Sequence, residues 1–474
     1  MLLDIANTIR LTGGRLLLVG GSVRDQFLGR VSKDVDCEVF GLSPERLRAI
    51  LSVFGEVNCV GASFGVYKLG DFDFSIPRRD SKSGAGHRGF IVSGDPDMSF
   101  ADAARRRDFT MNAISQDPLT GEFIDPFHGR ADIRDRVLRI VDFDRFGDDP
   151  LRVLRAVQFA ARFECSIDAQ SFALMCQMQS SLSELPAERV WGEFAKLLQA
   201  DEPSIGLRAA HALGVVQELW PELYALIGCE QDPEWHPEGD VWRHTLQVVD
   251  EARATWMSGE ELPIEALAVM LAALCHDFGK PSTTKFDGKH IRALGHEAAS
   301  VELTRSFLER LNVQTIDGYD VRAQVLALVG HHMLPHEFHR QDPGKSAFRR
   351  LSRKVDLMLL ARLADADANG RYPKPKDSTG VDWFIDRVKE LDLQDGPPPS
   401  LLMGRHLLDL GMSPGPEIGR IIKLVFEKQL DGSVTTVDEA IAEAKRHTTF
   451  VRVDGETVPL TPMEIAGDWK LRGL

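Results

Sequence analysis

The chain has 474 residues and a mass of 52.7 kDa, with 43% hydrophobic residues, 27% charged residues and a formal net charge of −15. The length predicts about three domains, and the composition excludes collagen-like, disordered and coiled-coil proteins. No apolar run approaches the roughly 18 residues of a membrane span, and the first ten residues carry an acid where a signal peptide is basic, so we expect a cytoplasmic protein without a membrane partner. The six cysteines are scattered and form no CxxC pair, which favours free thiols.

The charge is unevenly distributed along the chain. Residues 1–165 carry 23 Lys and Arg against 24 Asp and Glu, whereas the remaining 309 residues carry 33 against 47. Basic residues of the first third occur in clusters such as Arg105, Arg106 and Arg107. A local phosphate-binding face is therefore compatible with a chain that is acidic overall.

The first eighty residues have the pattern of strand, turn, helix and strand. From Arg15 an apolar run leads to a glycine pair, a short helical stretch and the alternating sequence KDVDCEVFG. Asp34 and Asp36 are two residues apart on this strand, so both carboxylates project from one face and can share a divalent ion. A DxD pattern on its own is more often a solvated strand face. A third carboxylate, Asp71 or Asp73 in DFDF, follows on a later strand, and spacing alone does not choose between them.

The glycine turn before these carboxylates suits a nucleoside triphosphate. Gly21 lies in a Gly-Gly-Ser turn and Arg24 follows it, which supplies backbone N–H groups and a guanidinium. Mg²⁺ in phosphoryl transfer uses one or two carboxylates together with substrate phosphates. This part of the chain has no histidine in the position of a general base, which favours nucleotidyl transfer over hydrolysis.

A helix is predicted to start at Asp149, a good N-cap residue that precedes Pro150. Its sequence LRVLRAVQFAARF places apolar residues on one side and Arg152, Arg155 and Arg162 on the other. On its own, this pattern is typical of a solvated basic face.

Histidines and aspartates gather in the second helical part of the chain. The candidate ligands are His244, His276, Asp277, His296, His331 or His332, and Asp365. Imidazole and carboxylate ligands from several helices are typical of a metal centre, although any one of them alone would be a structural side chain. The spacing does not rank His331 against His332, and His332 is taken as the candidate.

Five motifs, in order along the chain, resemble the class II tRNA nucleotidyltransferase and bacterial poly(A) polymerase superfamily. They are LVGGSVRDQFLG, KDVDCEVFG, RRRDFTMNAI, IDPFHGRADIRDRVLRI and DDPLRVLRAVQFAARF. The resemblance implies that Asp34 and Asp36 bind catalytic Mg²⁺. It also implies that Gly21 and Arg24 hold the triphosphate and that Arg107 contacts the nucleotide.

In this superfamily the DDxxR motif acts as a protein template that selects the base. The resemblance implies that Asp149 and Arg152 present hydrogen-bonding groups to the Watson–Crick edge of CTP or ATP, with Arg155 supporting the nucleotide. Further along, ERVWGEFAKLL resembles the last motif of the same region, where Arg189 and Glu193 are expected to brace the following helices. A surface pair four residues apart is the alternative for these two side chains.

The ordered series H, HD, H, H, D resembles the HD phosphohydrolase superfamily, with the spacing of the HD domain in one bacterial branch of tRNA nucleotidyltransferases. The resemblance implies a second divalent metal, of unidentified element, at this site. It also implies metal-assisted hydrolysis, with 2′,3′-cyclic phosphodiesterase, 2′-nucleotidase and phosphatase activities. The predicted ligands are His244, His276, Asp277, His296, His332 and Asp365.

These patterns together predict an α+β fold, in which a nucleotidyltransferase head with a small mixed sheet is followed by all-α neck, HD and tail domains. The head is expected at 1–140, the neck with the nucleotide template and RNA-binding region at 141–235, and the HD domain at 236–375. The helical tail is expected at 376–474, where GMSPGPEIGRIIK resembles the tRNA-elbow-binding region of the superfamily.

The leading functional hypothesis is an enzyme that adds C, C and A to the 3′ end of tRNA from CTP and ATP. Within the superfamily the alternatives are a poly(A) polymerase and enzymes that add only CC or only A. A poly(A) polymerase is expected to have a more basic tail and does not need the HD ligands. A hypothesis from another class is an HD phosphohydrolase with a vestigial head, which the intact candidate residues Asp34, Asp36 and Arg152 disfavour. The sequence leaves the oligomeric state open.

Overall fold

The structure is a computed structural model that describes residues 1–31, 35–60, 66–82, 90–257, 262–447, 449–453 and 456–460. A sheet with short helices forms the N-terminal part, and helices dominate everything that follows. This arrangement confirms the predicted α+β class with a small mixed sheet in the head. Within the ranges just given, no helix combines the length and apolar character needed to cross a membrane.

The head is built on one sheet whose strands are short. Its elements are α1 (Leu2–Leu11), β1 (Arg15–Val19), α2 (Gly21–Phe27), β2 (Val35–Phe40), α3 (Pro44–Leu51), β3 (Asn58–Val60), β4 (Val66–Leu69), β5 (Phe72–Ser75), β6 (Arg78–Lys82), β7 (Phe90–Gly94), α4 (Phe100–Arg105), β8 (Ser115–Gln116), β9 (Phe123–Ile124), α5 (Gly129–Arg134) and β10 (Val137–Leu138). Strands β6 and β7 form a separate antiparallel pair.

The main sheet has the order β3-β4-β5-β2-β1-β8-β9. Strands β2 and β5 are parallel and the other neighbours are antiparallel, so the sheet is mixed. Strand β1 is apolar on both faces, with Leu16 and Leu18 in one buried cluster and Leu17 and Val19 in another. A strand covered on both sides reads as a continuous apolar run, which explains the sequence RLLLV.

Helices make up most of the neck and of the domain after it. The neck contains α6 (Leu151–Phe163), β11 (Ser166–Ile167), α7 (Ala169–Gln177), α8 (Ala187–Leu198), α9 (Pro203–Ala212), α10 (Val215–Leu219) and α11 (Pro221–Tyr224). The next domain contains α12 (Val241–Ala254), α13 (Ile264–Cys275), α14 (Lys280–Thr283), β12 (Lys285–Phe286), β13 (Ile291–Arg292), α15 (His296–Arg310), β14 (Thr315–Ile316), β15 (Tyr319–Asp320), α16 (Val321–His331), α17 (Leu334–Gln341), α18 (Lys345–Leu351) and α19 (Leu357–Asn369).

The C-terminal part adds α20 (Thr379–Glu390), α21 (Gly404–Asp409), α22 (Pro416–Leu430), α23 (Val437–Arg446), β16 (Thr449–Val453) and β17 (Glu456–Leu460). Helix α20 packs on α17 and α19, and its Phe384 belongs to the same buried core as the neck and the preceding domain. A second core begins at Leu402. The predicted boundary at 375 therefore lies before a helix that shares the earlier core, and the domain boundaries stay predictions.

Close packing of α6 against α9 yields the first prediction. A Cβ on Gly206 would lie 2.8 Å from the carbonyl oxygen of Val157 and 3.0 Å from Cβ of Ala161, so Gly206→Ala must push the two helices apart. Overpacking of this kind costs about 1–3 kcal/mol and should lower the midpoint of thermal unfolding by about 5 °C. Gly192→Ala is the matched control in α8, because no atom lies within 4 Å of its added Cβ. An unchanged midpoint for Gly206→Ala would contradict the close approach.

Candidate active sites in the head and in the helical domain

Two carboxylates lie side by side on the parallel strands of the head. Asp36 on β2 and Asp73 on β5 are paired in the strand register, and neighbouring strands lie about 4.8 Å apart. The register places Asp73 beside Asp36, whereas Asp71 lies in the turn before β5. Asp34 lies outside the described residues. Burial, and then the charges of Asp36 and Asp73, raise the pKa of the buried Cys37 thiol, which indicates a negative potential at this position.

The glycine turn brings backbone close to these carboxylates. Gly20 has φ of +69°, a left-handed conformation that favours glycine. A Cβ at Gly20 would lie 3.3 Å from Nη1 of Arg107 and 3.4 Å from Oδ2 of Asp36. Gly20, Gly21, Asp36 and Arg107 line one cavity, which gives a phosphate close access to the backbone.

The same cavity extends to the start of α6, where the predicted base-contacting residues lie. Asp149, Arg152, Arg155 and Arg24 all line it. In total eight Arg and Lys side chains and three Asp side chains line the cavity, so it is strongly positive within a chain of net charge −15. A cavity of this charge suits a polyphosphate.

Asp149 lies two residues before α6, whose N-cap residue is Pro150, so the helix begins slightly later than the sequence predicted. Oδ1 of Asp149 accepts a hydrogen bond from the backbone N–H of Leu151 at 3.1 Å, and its Oδ2 pairs with Arg189 at 2.7 Å. Arg189 therefore ties α8 to the start of α6 instead of pairing with Glu193, whose carboxylate pairs with Lys196. The template candidate is held rigidly from two sides.

Arg152 is also held in place, by backbone oxygens. Its Nη1 donates to the carbonyl of Arg145 at 2.8 Å and its Nη2 donates to the carbonyl of Arg106 at 3.4 Å. Fixed donors are what selection between two bases requires.

Asp108 is a member of this site that sequence reasoning missed. Arg155 donates from Nε to Oδ2 of Asp108 at 2.6 Å, and Asn112 donates from Nδ2 to Oδ1 at 2.9 Å. Burial alone would raise the pKa of Asp108, but the charge of Arg155 and the hydrogen bonds lower it, so the carboxylate stays ionised. Asp108 is the aspartate of the motif RRRDFTMNAI. From the sequence, only an arginine of this motif was given a role, and the aspartate was given none.

Arg24 lies deeper than expected for a residue that binds only a ligand. Its guanidinium donates to Oδ1 of Asn112 at 2.8 Å, pairs with Asp25 at 2.7 Å and lies 4.4 Å from the ring centroid of Phe163. Arg24 lines the cavity, but several of its five donors are already engaged.

In the helical domain, the structure brings together most of the predicted metal ligands. His244 lies on α12, His276 and Asp277 follow α13, His296 begins α15 and His332 follows α16. His276, Asp277 and His332 are about 1% exposed and His244 is fully buried. Five residues from four separate segments thus converge in one buried cluster.

All four of these histidines are oriented by backbone carbonyls. The Nδ1–H groups of His276, His296 and His332 donate to the carbonyls of Ala273, Ala293 and Val329 at 2.7–2.8 Å, and that of His244 donates to Gly370 at 3.0 Å. A carbonyl only accepts, so each Nδ1 carries a proton, and Nε2 is the ring nitrogen that faces the cluster. This orientation is typical of histidines that ligate a metal.

The Nε2 atoms and the carboxylates lie at distances that one or two metal ions could bridge. Nε2 of His296 is 3.2 Å from Nε2 of His332 and 3.4 Å from Oδ1 of Asp277, and Nε2 of His276 is 3.2 Å from Oδ2 of Asp277. Nε2 of His276 is buried without a hydrogen-bond partner. A buried lone pair of this kind needs a ligand, so the donor set fits a divalent metal.

The protonation states also suit a metal. Burial, together with the nearby His276 and His296, lowers the pKa of His332 to about 3, so its imidazole stays neutral. Burial alone would raise the pKa of Asp277, but His276 and Lys280 lower it well below its usual range. Neutral imidazoles and ionised carboxylates are the forms that ligate metals.

The structure corrects the last predicted ligand from Asp365 to Asp367. Oδ1 of Asp367 lies 3.1 Å from Nε2 of His244, whereas Asp365 accepts hydrogen bonds from Asn369 and Ser378. Two residues along a helix rotate a side chain by about 200°, so only one of the two aspartates in LADADANG can face the cluster. The same geometry selects His332, while His331 bonds to the carbonyl of Ala327.

Several charged neighbours of the cluster were also missed. Glu238 is buried between His236 and His244, with Oε1 at 2.8 Å and 2.9 Å from their Nδ1 atoms. Lys280 pairs with Asp277 at 2.7 Å and Arg371 pairs with Asp367 at 3.1 Å. The sequence predicted only a loop at WHPEGD, because nothing in the composition of this segment indicates that Glu238 is buried.

Three family models match consecutive parts of the chain. The poly A polymerase head domain matches residues 16–139, the probable RNA and SrmB-binding site of polymerase A matches 165–226, and the HD domain matches 241–369. These matches include the sheet side of the head cavity, the neck from residue 165 and most of the histidine cluster, whereas α6 lies between the first two matches.

Solved structures show the same fold over nearly the whole chain. The CCA-adding enzyme of Bacillus stearothermophilus in complex with CTP has a TM-score of 0.62 at 21% identity and covers 94% of this chain and 96% of that one. The Thermotoga maritima CCA-adding enzyme complexed with tRNA has a TM-score of 0.57 at 19% identity, with 94% of each chain covered.

Curated relatives are more similar in sequence. The multifunctional CCA protein of Mannheimia succiniciproducens is 39% identical over 307 residues, which is 63% of this chain and 70% of that one. The multifunctional CCA protein of Actinobacillus pleuropneumoniae is 33% identical over 403 residues, which is 80% of this chain and 92% of that one. The head with its paired carboxylates, the neck with its arginine helix and the HD cluster are therefore parts of one known arrangement, and the chain belongs to the multifunctional CCA protein family of nucleotidyltransferases.

Proposed function

We propose that the chain adds C, C and A to the 3′ end of tRNA, with CTP and ATP as the nucleotide substrates. The observation that carries the proposal is a single positive cavity that joins Asp36 and the glycine turn to Asp149 and Arg152. Relatives that are 33–39% identical are multifunctional CCA proteins, which supports this activity over the alternatives in the superfamily.

The chemistry follows from the placement of the residues. Asp34 and Asp36, with Asp73 as the third carboxylate, would hold Mg²⁺, which supplies activation of the attacking hydroxyl and charge stabilisation at the phosphates. The tRNA 3′ oxygen attacks the α-phosphorus, a phosphodiester forms and pyrophosphate leaves. Arg107, Arg24 and the Gly21 backbone would hold the triphosphate against Asp36.

Base selection is assigned to the start of α6. Asp149 and Arg152 would present an acceptor and donors to the Watson–Crick edge, and Arg155 would support the nucleotide from the next turn. Because Asp149 is fixed by Arg189 and Arg152 by backbone carbonyls, their groups need little reorganisation when a nucleotide enters.

We assign the HD cluster to a second, hydrolytic activity. The candidate substrates are 2′,3′-cyclic phosphates, 2′-nucleotides and phosphomonoesters. The metal would be a divalent ion held by ligands from one histidine and aspartate cluster, namely His244, His276, Asp277, His296, His332 and Asp367. Lys280 and Arg371 line the open side of the cluster and suit an anionic substrate. Location in the cytoplasm stays a prediction.

The alternatives give different products in one assay. Labelled CTP and ATP are supplied separately and together to tRNA that lacks its 3′ end and to an unrelated RNA. Addition of C, C and one A only on tRNA supports the proposal. Long A tracts on either RNA would indicate a poly(A) polymerase, CC-only or A-only products would indicate the partial enzymes, and no incorporation would move the function to the HD cluster.

Asp36→Asn should abolish this incorporation. Loss of one carboxylate ligand removes several kcal/mol of stabilisation, and we expect at least about a 100-fold fall in kcat. Asp71→Asn is the matched control, because Asp71 lies on the exposed turn before β5 and not beside Asp36. Equal activity of Asp36→Asn and the wild type would refute the carboxylate assignment.

His276→Ala should separate the two activities. Its Nε2 is buried in the cluster, so the variant should lose hydrolysis of a 2′,3′-cyclic phosphate and keep CCA addition at the wild-type rate. Both rates are measured on one preparation. Joint loss of both activities, with the thermal midpoint unchanged, would show that the sites do not act independently.

Asp367→Asn and Asp365→Asn test the corrected ligand. Both variants are made with Asp36→Asn, which weakens metal binding in the head equally in each, and the metal-free proteins are titrated with Mn²⁺ in a calorimeter beside Asp36→Asn alone. We expect Asp367→Asn to weaken binding at least about 10-fold and Asp365→Asn to leave it unchanged. The reverse order would restore Asp365 as the ligand.

A further inference from the structure

The last turn of α6 carries an arginine that no step of the proposed reaction uses. Arg162 lies seven residues after Arg155, on the same face of the helix and about 10 Å further along its axis. It lines the same cavity as Asp149 and Arg152, at the opposite end of the helix, together with Gln158 and Lys196. A base bound at Asp149 would therefore leave the part of the cavity near Arg162 free for another part of a substrate.

Three guanidinium groups surround a single aromatic ring at this end. The Cζ atoms of Arg24, Arg30 and Arg162 lie 4.4 Å, 5.3 Å and 5.4 Å from the ring centroid of Phe163. Like charges this close repel each other unless an anion lies among them. Among the described residues, the carboxylates whose charge acts on Arg162 are already paired, Asp25 with Arg24 and Glu193 with Lys196.

Arg162 itself has little to balance its charge. It donates from Nη1 to Oε1 of Gln158 at 3.4 Å, and in the described ranges no carboxylate lies within ion-pair distance of its guanidinium. Burial, and then the positive charge of Arg24, lower the pKa of Arg162, which is the direction expected for a cation that lacks a partner. Gln158 is 1% exposed, so its amide can hold the guanidinium in one orientation.

We propose that Arg162 is the centre of a second phosphate-binding subsite, at the end of the cavity away from the base-contacting residues. The ligand is a phosphate of a substrate, either the backbone of the RNA 3′ end or the tail of the nucleoside triphosphate, and the inference rests on the proposed nucleotidyl transfer. The backbone of the RNA is the expected source, because Gly21 and Arg107 already face a triphosphate beside Asp36. A guanidinium matches a phosphate with two parallel N–H donors.

The test compares Arg162→Gln, Arg162→Lys and the control Arg305→Gln. Arg305 lies on α15, and its nearest acid is Glu302 at 3.9 Å, so its removal changes the net charge equally without touching the cavity. We measure KM for tRNA, KM for CTP and kcat, and the affinity for tRNA without nucleotide at several salt concentrations.

For Arg162→Gln we expect KM for tRNA to rise about 10-fold, with KM for CTP unchanged, because one charge-assisted contact is lost. The slope of log affinity for tRNA against log salt should become shallower by about 0.7–0.9, as for the loss of one phosphate contact. Arg162→Lys keeps the charge but not the paired donors, so its effect should be intermediate.

A selective rise of KM for CTP would support the subsite and assign it to the triphosphate tail. Unchanged KM for both substrates and an unchanged salt slope would overturn the proposal, as would equal effects in Arg305→Gln. If Arg162→Gln does not fold, the values of KM for tRNA and for CTP are compared between Arg162→Lys and the wild type instead. If the wild type incorporates no nucleotide, the proposed function fails, and the tRNA-binding slope still tests the subsite on its own.

Discussion

The ion pair between Arg155 and Asp108 connects the two halves of the head cavity. Arg155 belongs to the helix that presents Asp149 and Arg152, and Asp108 belongs to the segment that packs beside the sheet with Asp36. Asp108 is buried and Arg155 is partly buried, so breaking the pair would leave the charge of Asp108 uncompensated. The rotation of α6 relative to the sheet is thereby fixed, and with it the distance from Asp149 and Arg152 to Asp36.

In the HD cluster, neutral backbone carbonyls, instead of an ion pair, fix the orientation of the side chains. Four carbonyl oxygens take the Nδ1 protons of His244, His276, His296 and His332, so every ring is turned with Nε2 inward. The carbonyls of Ala273, Ala293 and Val329 each lie three residues before the histidine that they orient. The orientation of these three rings is therefore set by the backbone next to each histidine. Packing of the helices against one another then brings the oriented rings together. Against the effect of burial, the nearby charges of Lys280 and Arg371 lower the pKa of Asp277 and of Asp367, which keeps both carboxylates ionised.

The sequence predicted the fold class and indicated many of the residues that the structure brings together at the two candidate sites, because strand alternation and ordered motifs are local signals. It did not choose between residues that share a short segment. Asp71 and Asp73 differ only in strand register, and Asp365 and Asp367 differ only in helix rotation, and both properties are set by packing against distant elements. Asp108 was missed for a related reason, since its partner Arg155 lies 47 residues away.

The neck supports both sites at once, and this determines how their functions can be separated. Helix α9 packs on α6, which carries the base-contacting residues, and on α12, which carries His244. Arg253 of α12 reaches back to pair with Asp201 at the start of this region, and one apolar core continues through all three helices. Removing either domain would therefore expose apolar surface of the other. Single substitutions that keep the size of the side chain leave this core intact. Their effects on activity therefore reflect the chemistry of each site and not the packing of the helices that carry it.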